Sequence, residues 1–536
     1  MNRRNFLGIG GAVLAGALTQ TSEGFGGDRK QKRCTLLHLT DTHAQLETHL
    51  EYLPGATPDL KLMGGFARLK TAIDAQRATS IGPAFLADGG DLVQGSGPAA
   101  WSRGEVMIAP SNALELDAFV PGNWEPVHGP AQFERLMNQL RTRVIAYNFH
   151  RTNTGKRLFD PSVTITKEGV KVSFIGIADP TTTERQPPAQ VAGLDSTRMA
   201  GLRDFVKDLR AQESPDLVVA VTHTGLTVSR QLAREIPEFD VILSGHTHER
   251  TQRAIREGNV IVVEAGSLGS FLGRLDLTLK KNGGIETCNF KLIPVAADAF
   301  TEDRSVAQLV RDELMPYRER MQQVLGSSRC PILRYDVLET SADNLISDAL
   351  RDAVGTDIGL TNGFRFAPPI AVGAVTEGDL WNLLPMDARI KTGWVTGREL
   401  KTYLERELEM VFARDPWRLS GGWGPRASGL TVKFEARESQ GRRLRSLQVH
   451  GEDVEDDNRY TIAGCEREGE PIDVVCRHRG THDVQYSRLT IHEAVRQFLA
   501  QHPTIDPQRD GRATAVDLGA REFSQDQILS DLHHQS

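Results

Sequence analysis

The sequence predicts a two-domain α/β protein, and three observations carry that reading. At 536 residues the chain is longer than one hydrophobic core usually organises. From Arg33 to about Pro294, apolar β-branched runs alternate with stretches of helical period, the mark of α/β layers. A second alternation of the same kind runs from about Cys330 to Gln501.

The chain opens with NRRNFL at residues 2–7, followed by an apolar run over residues 9–18. This resembles a twin-arginine export signal, and AGA at residues 15–17 offers a small-residue cleavage site. The run is short of the ~20 apolar residues of a membrane span. No other segment is apolar enough for one, so the expectation is a periplasmic protein without a stable membrane span.

In the first domain, strands are expected at residues 36–39, 84–87, 170–177, 217–221, 241–243, 260–264 and 275–279. Helices are expected at 66–76, 132–140 and 202–212. Residues 301–325 place Val306, Leu309, Val310, Leu314, Met321 and Val324 at helical spacing. That reads as a linker helix or as the last helix of the first domain. Beyond it come helices at 341–354, 400–412 and 491–499 and strands at 430–435 and 460–463, before the composition turns polar after His502.

The expected boundaries are 1–32 for the signal and a short linker, 33–297 and 329–510 for the two domains, 298–328 for the linker helix, and 511–536 for a polar tail. A net charge of -7 without a Lys/Arg run argues against a nucleic-acid polymer as partner. The five cysteines lack CxxC spacing, so a zinc ribbon is not expected; Cys465 and Cys476 could pair in an oxidising compartment.

The chemistry sits where strands end. Asp41 and His43 follow the first strand, Asp91 lies in a Gly-Gly-Asp turn after the second, and Asn123 lies in GNWE at 122–125. His223 follows a later strand in THT, and His246 and His248 follow another in GHTH. Open α/β sheets bind ligands at the carboxyl ends of their strands. Seven oxygen and nitrogen ligands suffice for two divalent ions around a shared carboxylate, and such a centre activates water for hydrolysis. Carboxylate, amide and imidazole donors suit Mn, Fe or Zn.

The ordered set DTH, GGD, GNWE, THT and GHTH resembles the calcineurin-like metallophosphoesterase superfamily, and within it the 5'-nucleotidase branch. VTEGDLWNLLP at 375–385 and NLISDAL at 344–350 are similar to that branch's C-terminal domain. The resemblance implies a four-layer first domain, a 5'-nucleotidase-type α/β second domain, and an active site between them. It implies one ion, expected to be Mn, on Asp41, His43, Asp91 and His248, and another on Asp91, Asn123, His223 and His246.

Further strings are similar to the SoxB family, the thiosulfohydrolases of sulfur oxidation. They are DTHAQL at 41–46, GGFAR at 64–68, GGDLVQGS at 89–96, WSRG at 101–104, FLGRLD at 271–276, PYRE at 316–319 and GFR at 363–365. The telling position is Trp124. Phosphoesterases of the superfamily read GNHE, with a His that protonates an alkoxide leaving group, whereas the SoxB family reads GHWE. An indole is a poor proton donor to a leaving group. A sulfur anion needs little protonation, because thiols are far more acidic than alcohols. Asn123 departs from the SoxB pattern and keeps the phosphoesterase ligand.

The resemblance therefore implies a hydrolase that releases sulfate from a cysteine S-thiosulfonate. That group would be borne on the C-terminal cysteine arm of a carrier protein (SoxYZ-like). The alternative is a periplasmic 5'-nucleotidase-like hydrolase of small phosphoesters. Catalytic candidates are Asp91, Asn123, Trp124 and Arg365. Arg365, between Phe364 and Phe366, suits a sulfonate or phosphate, or is an ordinary surface arginine. Trp417, Trp423 and Arg426 line a groove for a peptide arm or belong to a structural loop.

Overall fold

The computed structural model describes residues 31–518 apart from 54–58, 282, 362–366, 420–423 and 425. The signal, Arg365 and Trp423 lie outside the described residues. Residues 32–518 contain two six-stranded sheets followed by smaller sheets. In the first sheet Arg33–Leu39, Ala84–Asp88, Ala118–Phe119 and Arg143–Val144 run parallel, and Phe271–Leu279 and Ile285–Pro294 close one edge antiparallel. In the second, Val260–Glu264, Val241–Ser244, Leu217–Thr222 and Val170–Ile177 run parallel between two antiparallel edge strands.

Both faces of these parallel strands are buried, so their sequences are continuous apolar runs instead of alternating ones. The period of two then sorts each run between two cores. Leu36, Phe85, Val219, Val221, Leu243 and Val263 fill the space between the sheets. Their neighbours Leu37 and Leu86 face the other way, onto Phe66, Ile73 and Phe133 of the helices. Val218, Ala220 and Ile242 likewise face Val206 and Leu232 of Leu202–Glu213 and Leu226–Glu235. The result is a helix–sheet–sheet–helix, four-layer arrangement.

Residues 301–325 do not form one helix. Arg304–Leu314 starts at an Asp303 cap and buries Val306, Val310 and Leu314 in the first core; Arg318–Gln322 is a separate turn. Val324–Ser328 is a strand between Gly373–Thr376 and Thr504–Ile505. Likewise Ala513–Ala515, in the segment expected as a polar tail, pairs with Leu430–Phe434 and buries Ala515.

The C-terminal region is built on a five-stranded sheet with Ser341–Val354 and Ile491–Gln501 packed over one core and Gly397–Phe412 over another. The VTEGDLWNLLP string forms the end of a strand and the helix Glu377–Leu383, which a Thr376/Asp379 capping box starts. Trp381 of that helix meets Trp101 edge-on at 5.4 Å, and the Arg320 guanidinium lies 4.0 Å over Trp101. All five cysteines are free. Among the described residues no helix is long and apolar enough to cross a membrane.

Candidate metal centre

The carboxyl ends of parallel strands from both sheets converge on one buried cluster. Asp41, His43 and His248 form one group of donor atoms within 4.8 Å of one another, and Asp91, His223 and His246 form a second. In the first, His248 Nε2 lies 3.3 Å from Asp41 Oδ1 and 3.1 Å from His43 Nε2. In the second, His223 Nε2 lies 3.1 Å from Asp91 Oδ2 and 3.3 Å from Asn123 Oδ1. The two groups touch: Asp91 Oδ2 is 3.8 Å from His43 Nε2, and Asp41 Oδ1 is 3.9 Å from His223 Nε2.

Backbone geometry aims these side chains at an energetic cost. Asp41, His43, Asp91, His246 and His248 all have positive φ, between 45° and 89°. For residues with a Cβ such a conformation costs about 1–3 kcal/mol each and persists only where its surroundings enforce it. Gly122 has no side chain because a Cβ there would strike Asp91 Oδ1 and approach the His223 ring to 2.6 Å. At Gly245 a Cβ would collide with Thr40 Oγ1.

The surrounding hydrogen bonds fix orientation. His43 Nδ1 donates to Gln94 O at 3.1 Å and His223 Nδ1 to Gly89 O at 2.6 Å, which turns the Nε2 lone pair of each ring to the cluster. Asp41 Oδ2 accepts from the His246 amide at 2.9 Å, and Asp91 Oδ1 from the Trp124 amide at 2.8 Å. Each carboxylate thus spends one oxygen on the scaffold and keeps one for the centre.

Glu125 is a clamp. Its carboxylate accepts from the amides of Asp91 (3.1 Å), Leu92 (2.6 Å) and Gly122 (2.6 Å), tying the Gly-Gly-Asp turn to the Gly-Asn turn. Glu125→Gln would turn an NH2 group toward amide donors, costing about 1–3 kcal/mol. Metal affinity is expected to fall roughly 10–100-fold, as for other orienting groups behind a ligand, read by chelator competition. Unchanged affinity would remove the clamp role.

The donor set fits divalent cations. Asp41 Oδ1 and His246 Nε2 are buried without a hydrogen-bond partner, which is costly unless another group binds them. Burial lowers His223, but the Asp91 and Asp41 carboxylates more than reverse this and raise its pKa to about 10. Burial pushes Glu125 to about 7, with Asp91 adding to the shift, and Glu264 to about 8, with Asp41 and Glu249 adding. The centre carries surplus negative charge, which dications would neutralise.

Trp124 is buried with Val127 and Leu268 against Met386 of the C-terminal region. From the same region Pro385 O accepts a hydrogen bond from Gln94 Nε2, and Tyr335 OH donates to His248 O at 3.5 Å. Arg426 does not line a groove: it is buried, its Nε 3.6 Å from Asp343 Oδ2. Trp417 is half-exposed and its Nε1 donates to Glu235 Oε1 at 3.2 Å.

Three residues around the centre were missed in the sequence. Glu264 ends a parallel strand and accepts from Ser244 Oγ (2.7 Å), Thr247 Oγ1 (3.0 Å) and the Glu249 amide (2.8 Å), shaping the GHTH loop. Its place after VIVV was the same strand-end signal that marked Asp41. Asp179 also follows a strand, and it anchors Arg185, for which the sequence carries no signal of its own. Burial, then the nearby Arg185 charge, hold His246 well below the usual imidazole range.

Residues 34–250 match the family model of the calcineurin-like phosphoesterases, and residues 325–466 that of the 5'-nucleotidase C-terminal domain. The trifunctional nucleotide phosphoesterase YfkN of Bacillus subtilis is 23% identical over 80% of this chain, which spans only 31% of that longer protein. A 5'-nucleotidase of Vibrio cholerae is 24% identical over 73% of this chain and 78% of its own length. The sulfate thiohydrolase SoxB of Thermus thermophilus shares the fold at a TM-score of 0.82, covering 90% of this chain and 97% of its own, at 23% identity. The chain belongs to the metallophosphoesterases that carry a 5'-nucleotidase C-terminal domain, a family of metal-dependent hydrolases.

Proposed function

We propose that this chain is a dimetal hydrolase of the SoxB type, working in the periplasm after twin-arginine export. It would release sulfate from a cysteine S-thiosulfonate on the C-terminal arm of a carrier protein. The observation that carries this reading is Trp124, an indole where the phosphoesterases place their acid, its backbone N–H donating a hydrogen bond to Asp91 Oδ1 beside the centre. The likeness in fold to SoxB supports it.

Asp41, His43, Asp91 and His248 would hold one ion, and Asp91, Asn123, His223 and His246 the other; Mn is proposed, with Zn and Fe suited to the same donors. Bound there, the ions would supply a nucleophilic water and charge stabilisation. The protein's part is to hold the donors and to exclude bulk water with Trp124, Leu268 and Met386. In the reaction a water oxygen bonds to the sulfonate sulfur and the sulfur–sulfur bond breaks. The electron pair stays on the departing sulfur, two protons are released, and sulfate forms. A sulfur anion leaves without a proton donor, which suits a site with indole in the acid's place.

A second reading, a 5'-nucleotidase-like hydrolase of small phosphoesters, is favoured by Asn123 and by the nucleotidases among the sequence relatives. One assay separates the two. Metal-loaded protein is given a thiosulfonated cysteine peptide, AMP and p-nitrophenyl phosphate in parallel. Sulfate release is expected, with the aryl phosphate cleaved far faster than AMP. AMP turned over as readily as the aryl ester, with no sulfate formed, would overturn the sulfur reading.

A further inference from the structure

A cavity beside His246 holds a cation that the metal centre does not use. Arg185 ends the short helix Thr182–Arg185, on the loop after Val170–Ile177. Its Nε donates to Asp179 Oδ2 at 2.6 Å and to Thr181 Oγ1 at 2.7 Å. Asp179 is itself buried, and its other oxygen accepts from the Thr181 amide and hydroxyl, each at 2.8 Å. The guanidinium is therefore held by its Nε edge. Among the described residues nothing accepts a hydrogen bond from its two terminal nitrogens, so that face of the fork is left for a ligand.

The cavity is lined by Arg185, Thr224, Gly225, His246, Glu249 and Leu419, among others. The first turn of the ten-residue helix Leu226–Glu235 also borders it and adds the positive end of its dipole. Glu249 brings a carboxylate, so the cavity is not uniformly positive. What distinguishes Arg185 is a pair of N–H edges in fixed geometry next to a metal-ligand candidate.

The loop is also tied on both sides. Gln186 Nε2 donates to Asn123 O at 2.6 Å. From the C-terminal region, Arg467 donates to Arg185 O at 2.9 Å and the Ala189 amide reaches Glu468 O at 3.3 Å.

We propose that Arg185 is the anion-recognition residue of the substrate site. It would take two oxygens of the tetrahedral anionic group, sulfonate or phosphoryl, beside His246. This rests on the hydrolase reading above and adds to it the residue that grips the reacting group. A guanidinium matches such oxygens pairwise, whereas an ammonium offers only a point charge. The assignment also gives Asp179 a purpose: a buried carboxylate whose task is to orient the arginine.

The test uses the full chain loaded with Mn, as wild type, Arg185→Lys and Arg185→Gln, with inorganic phosphate as probe. Phosphate affinity is read by calorimetry, kcat and KM on p-nitrophenyl phosphate, and metal per chain by elemental analysis. Losing charge-assisted hydrogen bonds is expected to weaken phosphate binding and raise KM roughly 10–100-fold in the Gln variant. The Lys variant, which keeps a charge for Asp179, should fall between. Metal content should not move, and added guanidinium should restore part of the phosphate affinity of the Gln variant. Unchanged affinity and KM in an active Gln variant would overturn the assignment, as would a loss of metal that accounts for the defect. A metal-loaded wild type that releases no sulfate from a thiosulfonated cysteine peptide, cleaves no ester and binds no phosphate would overturn the hydrolase reading itself.

Discussion

Asp91→Asn is expected to lower kcat at least about 10³-fold and to reduce the metal bound per chain, while leaving the fold intact. The magnitude follows from position: groups behind a ligand already contribute 10–100-fold, and this carboxylate stands in front of them. Asp91 Oδ2 lies 3.1 Å from His223 Nε2 and 3.8 Å from His43 Nε2, so it faces both donor groups. An asparagine keeps an acceptor for the Trp124 amide, now held at 2.8 Å on Oδ1. The Glu125 bonds go to backbone amides and do not need the charge. Folding should therefore survive, as thermal melting would show, and the defect should be electrostatic.

Asp41→Asn makes the useful comparison. Asp41 also has one scaffold oxygen and one buried, unpartnered oxygen, the latter 3.3 Å from His248 Nε2. If Asp91 is the shared ligand, its variant should lose both ions, and the Asp41 variant chiefly one. An Asp91→Asn protein that keeps its full metal complement and activity within about 3-fold would remove Asp91 from the centre.

The four-layer fold was legible because both faces of its parallel strands are buried. Runs such as LVVAVT at 217–222 then cannot be surface strands, and their ends are where ligands belong. What escaped was set by tertiary context. Val324 continues the helical spacing of Val306 to Met321, yet it pairs across to Thr376, and pairing outweighs local period. Ala513–Ala515 is too short and too polar nearby to announce itself, and it exists because Leu430–Phe434 offers an edge.

The site was legible for the side chains that converge on it and not for those that enclose it. Met386 reaches Trp124, and Pro385 takes the Gln94 amide, the latter across 291 residues of sequence. Only the VTEGDLWNLLP string, as a resemblance, pointed to that part of the chain. Arg185 was invisible for a different reason: what sets it apart is how Asp179 and Thr181 hold its Nε beside His246, and no residue pattern announces that geometry.

Trp124→His is expected to raise kcat on alkyl phosphates such as AMP by about 10²–10⁴-fold, the usual contribution of a placed general acid. It should change p-nitrophenyl phosphate little, because nitrophenolate leaves without protonation. The position favours this outcome. The residue 124 amide is pinned to Asp91 Oδ1, so the backbone stays in place when the side chain changes. The substitution removes an indole packed on Val127, Leu268 and Met386, and lost burial of that size costs about 3–5 kcal/mol. A lower melting temperature should accompany the gain, so activity must be compared below both transitions. Sulfate release should not improve, since a sulfur leaving group has no need of the proton. If AMP hydrolysis stays flat in a folded, metal-loaded Trp124→His protein, the indole is not what bars alkyl esters. The choice between sulfur and phosphorus would then have to be made by the enclosing residues of the C-terminal region.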